Sequence, residues 1–317
     1  MRREKPMKPA LVTEDKFAAA VRSFLRSPKF TGYSASTQEL WGRELNFMSR
    51  PDCLGAFSTG EIRPALVQAY FDGLAGSPGK QAAALSALKQ FEKWAVVRDI
   101  LPRQITLGVE VEEMEGGHIP WDDEHVALAE EYARPDLARV VTLGANTGQR
   151  RSDLIRLGPT DIETFDGIEG IRLVQKKTGR EVWVPIISTL AAKMQTWDLV
   201  PGPFLRRPNG KTWSGKALQA AWDYERDTNQ KLAPLRAIGP NKDRPAVLHG
   251  LRGHACVRLL RAGANTRQIA DMVGMSEEMV KTYTRFSEQR ENAVAAVYHM
   301  ERTIRERSKD KTNKITG

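Results

Sequence analysis

One pair of strand-like runs interrupts a chain whose other apolar runs repeat at helical spacing. Gly170-Ile-Arg-Leu-Val-Gln175 and Glu181-Val-Trp-Val-Pro-Ile186 are rich in β-branched residues, and Lys176-Lys-Thr-Gly-Arg180 between them has turn composition. A single hairpin in 317 residues confines the chain to a mostly α fold with a small β-sheet. At roughly 100–200 residues per domain, the length allows about two domains with ample core.

The first of these reads as helical. Thr13-Glu-Asp supplies an N-cap and an acidic first turn, and Phe17, Val21, Phe24 and Leu25 follow on one face. Ser36-Thr-Gln-Glu39 resembles a capping box ahead of Leu40, Trp41, Leu45 and Phe47. Thr59-Gly-Glu-Ile opens a third helix, which Gly76-Ser-Pro-Gly breaks, and a fourth runs from about Lys80 to Arg98. The expected boundaries are a tail over 1–12, a helical domain over 13–105, a linker over 106–120, a second domain over 121–303 and a charged tail over 304–317. The linker follows from a polar, Gly-containing stretch without periodicity.

Composition narrows the function. No apolar run approaches the ~20 residues of a membrane helix, and Met1-Arg-Arg-Glu-Lys-Pro lacks the apolar core of a signal peptide, so a cytoplasmic protein is expected. Two distant cysteines, Cys53 and Cys256, exclude a disulfide framework and a cysteine-built zinc site. An excess of 48 basic over 39 acidic residues, +9 at pH 7, favours nucleic acid or an anionic surface as partner.

Four segments carry side chains suited to chemistry. Thr147-Gly-Gln-Arg150 precedes a helix start, where Arg150 can hold an anion beside backbone donors. Lys176 and Lys177 occupy the hairpin tip, within reach of a neighbouring groove as proton donors. His249-Gly-Leu-Arg252 puts an imidazole and a guanidinium on one helical face. Past Gly274, Ser276 caps a helix bearing Tyr283, while Met272, Met275 and Met279 read as packing residues. Taken singly, each has an ordinary explanation as solvated turn, capped helix or core. Two rival motifs fail: Gly210-Lys-Thr212 has Leu205 where a phosphate loop needs glycine, and Asp122-Asp-Glu-His125 reads as a helix start rather than a metal site.

Taken in order, the set resembles the tyrosine recombinases, in their phage-type integrase branch. The matching segments are Thr147-Gly-Gln-Arg-Arg-Ser-Asp-Leu, Leu157-Gly-Pro-Thr-Asp-Ile162, Lys177-Thr-Gly with Val184-Pro-Ile, His249-Gly-Leu-Arg, and Tyr283-Thr-Arg, within roughly residues 120–290. The resemblance implies a helical core-binding domain, the DNA clamp, followed by a mixed α/β catalytic domain. It also implies that Arg150 and Arg252 are clamp arginines, Lys177 the hairpin lysine, His249 the histidine of the second box and Tyr283 the nucleophile. Two departures stand out. Met275 occupies the place where the family usually has His or Trp, and the step from it to the tyrosine is one residue shorter. Lys176 also competes for the lysine role.

The implied reaction is site-specific cleavage and rejoining of double-stranded DNA through a 3′-phosphotyrosine, without metal, ATP or other cofactor. Fixed guanidinium groups suit the charge that accumulates on the phosphate oxygens. The implied assembly is a homotetramer on DNA, with accessory DNA-bending proteins as further partners. Two alternatives remain from the residues: a DNA-binding protein of the same fold with impaired catalysis, and a DNA-relaxing enzyme of the type IB topoisomerase kind.

Overall fold

The computed structural model describes residues 16–113, 117–197 and 200–285, together with 289, 293–294, 296–298 and 300–302. The expected helix start at Thr13, both tails and most of the segment after Arg285 lie outside these residues. The chain forms two compact units, Met1–Gly117 and His118–Gly317. Among the described residues, no helix is long and apolar enough to cross a membrane.

In the first unit, helices span Phe17–Leu25, Pro28–Thr31, Ala35–Met48, Pro64–Asp72 and Pro78–Val96. Three of them open on proline, whose missing N–H costs nothing in a first turn. The starts differ from the sequence expectation. Ser34, two residues before Ser36, caps the third helix by accepting from Thr37 N at 3.3 Å. Thr59 is buried ahead of the fourth, and Pro64 begins it. The core is aromatic: Phe24 meets Phe30 and Phe91 edge-on at 5.3 and 5.9 Å, and Phe17 meets Phe91 at 5.3 Å. Each such ring removed from water contributes roughly 1.5–3 kcal/mol.

Residues 106–112, expected within a linker, are bound to this first unit together with Ile105. The buried Glu92 carboxylate accepts from the amides of Ile105 and Thr106 and from the Thr106 hydroxyl. Ile105 is fully buried, and Val109 and Val111 pack against the same core. Backbone donors that would otherwise be orphaned thus find a buried carboxylate.

The second unit contains a three-stranded antiparallel sheet, β1 (Ile162–Phe165), β2 (Ile168–Val174) and β3 (Glu181–Pro185), with one face buried. β1 was absent from the sequence expectation. It pairs with β2 across Asp166-Gly167, both at positive φ (51° and 77°), the two-residue turn that Asp-Gly favours in hairpins. Helices Asp123–Tyr132, Pro135–Thr147, Ser188–Gln195, Gly215–Thr228 and Gly250–Arg261 share one apolar core with the buried face of the sheet, and Trp121 and Trp222 are buried in it. Asp122 and His125 cap the first of these, as the helix-start reading of that acidic run requires. A smaller apolar cluster of Cys256, Ile269, Ala270, Val273, Met275 and Val280 seats helix Thr266–Val273 and the following helical segment, 277–285.

Candidate active site

Two left-handed glycines set the floor of the site. Helix Pro135–Thr147 ends at Gly148 (φ 62°), and helix Thr266–Val273 ends at Gly274 (φ 71°). Both positions need glycine for the backbone angle and for space. A Cβ on Gly148 would lie 2.9 Å from Val273, and one on Gly274 would lie 2.3 Å from Gln175 Nε2. The two turns therefore meet, and their carbonyls converge on Arg252.

Arg252 Nη1 donates to Gly148 O at 2.6 Å and Val273 O at 2.9 Å, while Nη2 donates to Gly274 O at 3.0 Å. Of five guanidinium donors, these leave Nε–H and one Nη2–H, which lie along one edge. The residue is only 3% exposed. Burial, with Arg150 adding to it, lowers its pKa to about 10, so it remains cationic at neutral pH. Arg150 stands at the N-terminus of the short helix Arg151–Leu154 and donates through Nη1 to Gln175 Oε1 at 2.6 Å.

The hairpin between β2 and β3 closes through Gln175 N to Arg180 O at 2.9 Å and Gly179 N to Gln175 O at 2.8 Å. Lys176 and Lys177 are both exposed on it. Lys177 contributes to the field at His249, and the Lys176 backbone N–H donates to Asp153 Oδ1 at 2.8 Å. Arg180 anchors the other side of the turn, donating to Met275 O at 2.8 Å and to Asp271 Oδ1 at 2.6 Å.

His249 precedes helix Gly250–Arg261, and its Nε2 lies 3.3 Å from the Tyr283 hydroxyl. Burial drives the His249 pKa down to about 4; His118, Arg252, Arg150 and Lys177 push it in the same direction. At neutral pH this imidazole is uncharged and able to accept a proton. Burial raises the Tyr283 pKa, with Cys256 adding to the rise, while Arg252 and Arg150 oppose it. Gly253 makes room for the ring, since a Cβ there would sit 2.9 Å from Tyr283 Cδ1. Met275 does not face this group as a polar residue. Its side chain is buried, with Sδ 3.9 Å from Cys256 Sγ in the small apolar cluster.

The structure thus brings Arg150, Lys177, His249, Arg252 and Tyr283 around one point, with Met275 beneath it. Residues 127–290 match the model of the phage integrase family, more than half of the chain. The chain belongs to this family. That membership makes it a site-specific tyrosine recombinase, as its sequence motifs imply. The fold agrees. A lambda integrase fragment in a dimer bound to a COC′ core site superposes with a TM-score of 0.69 at 15% identity, over 83% of this chain and 97% of that one. The Tn1549 transposon integrase with circular intermediate DNA gives 0.65 at 14% identity, over 85% and 95%. A lambda integrase tetramer bound to a Holliday junction gives 0.67 at 15%, over 86% and 82%. No curated protein matches the chain.

Three residues of this integrase-family site escaped the sequence reading. Gln175 and Arg180 bound the lysine turn but carry no motif of their own. His118 meets the His249 ring edge-on at 4.6 Å, although it falls in the stretch read as linker. Among the described residues, no cluster of three or more His, Cys, Asp or Glu could hold a metal ion.

Proposed function

We propose that this recombinase cleaves duplex DNA by attack of Tyr283 on a phosphodiester, forming a 3′-phosphotyrosyl linkage and releasing a 5′-hydroxyl. The observation that carries this reading is the 3.3 Å approach of Tyr283 to a neutral His249 beside two arginines. Tyr283 Oη bonds to phosphorus and its proton passes to His249 Nε2, which lies within about hydrogen-bond reach. The P–O5′ bond breaks, and Lys177 Nζ gives a proton to the departing oxygen, which would otherwise leave as an alkoxide. Arg150 and the open edge of Arg252 take the charge that builds on the non-bridging oxygens. Arg252 is held in place before substrate arrives, so no reorganisation is needed. The incoming phosphate also offsets the cations around His249 and raises its proton affinity when the proton must be taken. Rejoining runs the same steps backwards from the 5′-hydroxyl of another strand, so the phosphoryl bond is conserved.

The assembly we infer is a homotetramer on two duplexes, because exchange between two sites requires four cleavages; the tetrameric lambda integrase supports this arrangement. A cytoplasmic location and accessory DNA-bending partners complete the proposal. Met275 supplies packing under Tyr283 rather than a hydrogen bond to phosphate, so the transition state is held by the arginines and lysine alone.

Incubation with nicked attachment-site DNA should trap a covalent protein–DNA species in the wild type and none in Tyr283→Phe, with binding retained. An adduct persisting in Tyr283→Phe would sink the assignment of the nucleophile. Binding by either protein should weaken steeply as salt rises, since neutralised phosphates release counterions.

A further inference from the structure

The side-chain amide of Gln175 lies where three turns of this site meet, and the reaction above gives it no task. It is fully buried. Its Oε1 accepts from Arg150 Nη1 at 2.6 Å and from Thr178 Oγ1 at 3.0 Å. Its Nε2 donates to Gln149 Oε1 at 2.8 Å and to Val273 O at 3.0 Å. An amide offers two acceptor lone pairs and two N–H donors, so its capacity is used in full. The partners come from the arginine turn, the lysine turn and the glycine turn that precedes the nucleophile helix.

We infer that Gln175 is a positioning residue: one amide oxygen aims Arg150 and, through Thr178, sets the lysine-bearing turn in register with it. This inference rests on the proposed roles of Arg150 and Lys177. Tying Nη1 to a side-chain oxygen turns the remaining donors of Arg150 away from Gln175 and toward an incoming anion. The oxygen is also neutral. A carboxylate at the same place would hold the guanidinium equally well but cancel the charge that the phosphate requires. Thr178 is next to Lys177, so the same oxygen that orients the charge stabiliser also locates the acid. Misplacement of reacting groups by about 1 Å can cost about a hundredfold in rate.

The test compares single-turnover cleavage of three matched DNA substrates: the ordinary phosphodiester, a 5′-bridging phosphorothiolate and a methylphosphonate. The thiolate leaves without an acid, and the methylphosphonate carries no net charge for Arg150 to neutralise. Wild-type adduct formation, and its absence in Tyr283→Phe, tests the underlying reading separately. Gln175→Met keeps the shape and removes every polar contact. We expect a drop of roughly ten- to hundredfold on the phosphodiester, unchanged DNA affinity, and a visibly smaller deficit on both modified substrates. A deficit of equal size on all three would mean a structural loss and overturns the inference. Thr178 is exposed, so its variants decide the matter even where Gln175→Met does not fold. Thr178→Val should slow the phosphodiester several-fold and cleave the thiolate normally, with Thr178→Ser restoring the rate. Wild-type rates for Thr178→Val on the phosphodiester would overturn the coupling.

Discussion

Arg252 and Lys177 stand at opposite extremes of one site. Arg252 is 3% exposed and fastened to three backbone carbonyls, whereas Lys177 is exposed on a hairpin tip. The contrast suits the roles proposed for them. Charge developing on phosphate oxygens is best met by donors fixed in a low-dielectric wall, because nothing then has to move as the barrier is crossed. An acid must reach a leaving group that belongs to a bulky, incoming duplex, and a flexible ammonium on a projecting turn suits that need. The wall is built for stiffness and the tip for access.

The wall should break hardest. Arg252→Ala orphans three carbonyls, each costing about 1–3 kcal/mol when left buried without a partner, and should lower cleavage by at least about 10³-fold. Arg252→Lys should restore little, since one ammonium cannot span three carbonyls and a phosphate. Single-turnover cleavage and chemical denaturation of the same samples check both halves. If Arg252→Ala unfolds like the wild type, the wall is not structural.

The tip should lose rate without losing stability. Lys177→Ala is expected to slow cleavage about 10²-fold, change stability by less than about 0.5 kcal/mol, and recover on a 5′-phosphorothiolate. Lys176→Ala should be milder on all counts. No recovery with the thiolate would remove Lys177 from the acid role.

A third comparison grades the packing behind the wall. Met275→Ala should cost about 2–5 kcal/mol and slow cleavage by loosening the segment that carries Tyr283; Met275→Leu should cost under about 1.5 kcal/mol. Equal, wild-type cleavage rates in both, measured where both are folded, would make Met275 a bystander.

A last comparison concerns pH. The folded pKa of His249, about 4, lies below the ordinary histidine value near 6.5. The unfolded chain therefore binds this proton more readily. Stability from the neutral His249 is present above about pH 6.5 and is lost as pH falls toward 4. His118 and His254, also lowered by burial, titrate in the same direction. Melting temperature should decline across that window, and less steeply in His249→Asn; identical slopes would show that His249 is not held neutral.

The contrast between wall and tip also tracks what was legible in the chain. The helices around Phe24 and Leu88 announced themselves by spacing, and the lysine hairpin by its two β-branched runs. Helix starts were less legible, because Ser34 and Ser36 are equally good caps on paper and packing chose the first. β1 was missed because Ile162-Glu-Thr-Phe165 is short and largely exposed; the Asp166-Gly167 turn was the available signal. The hold of Glu92 on residues 105–106 left no pattern at all, since a buried carboxylate thirteen residues away looks like any surface glutamate.

By itself the sequence determined the order of Arg150, Lys177, His249, Arg252 and Tyr283, and with it the family, because residue types and their succession are local facts. The two glycines that end their helices are equally local. Tertiary structure decided which donors of Arg252 are spent on carbonyls, that His249 is neutral, that Lys177 rather than Lys176 is felt there, and that Gln175 joins the parts. Each of these depends on burial and on distances between segments far apart in the chain, and neither quantity is written in any one segment.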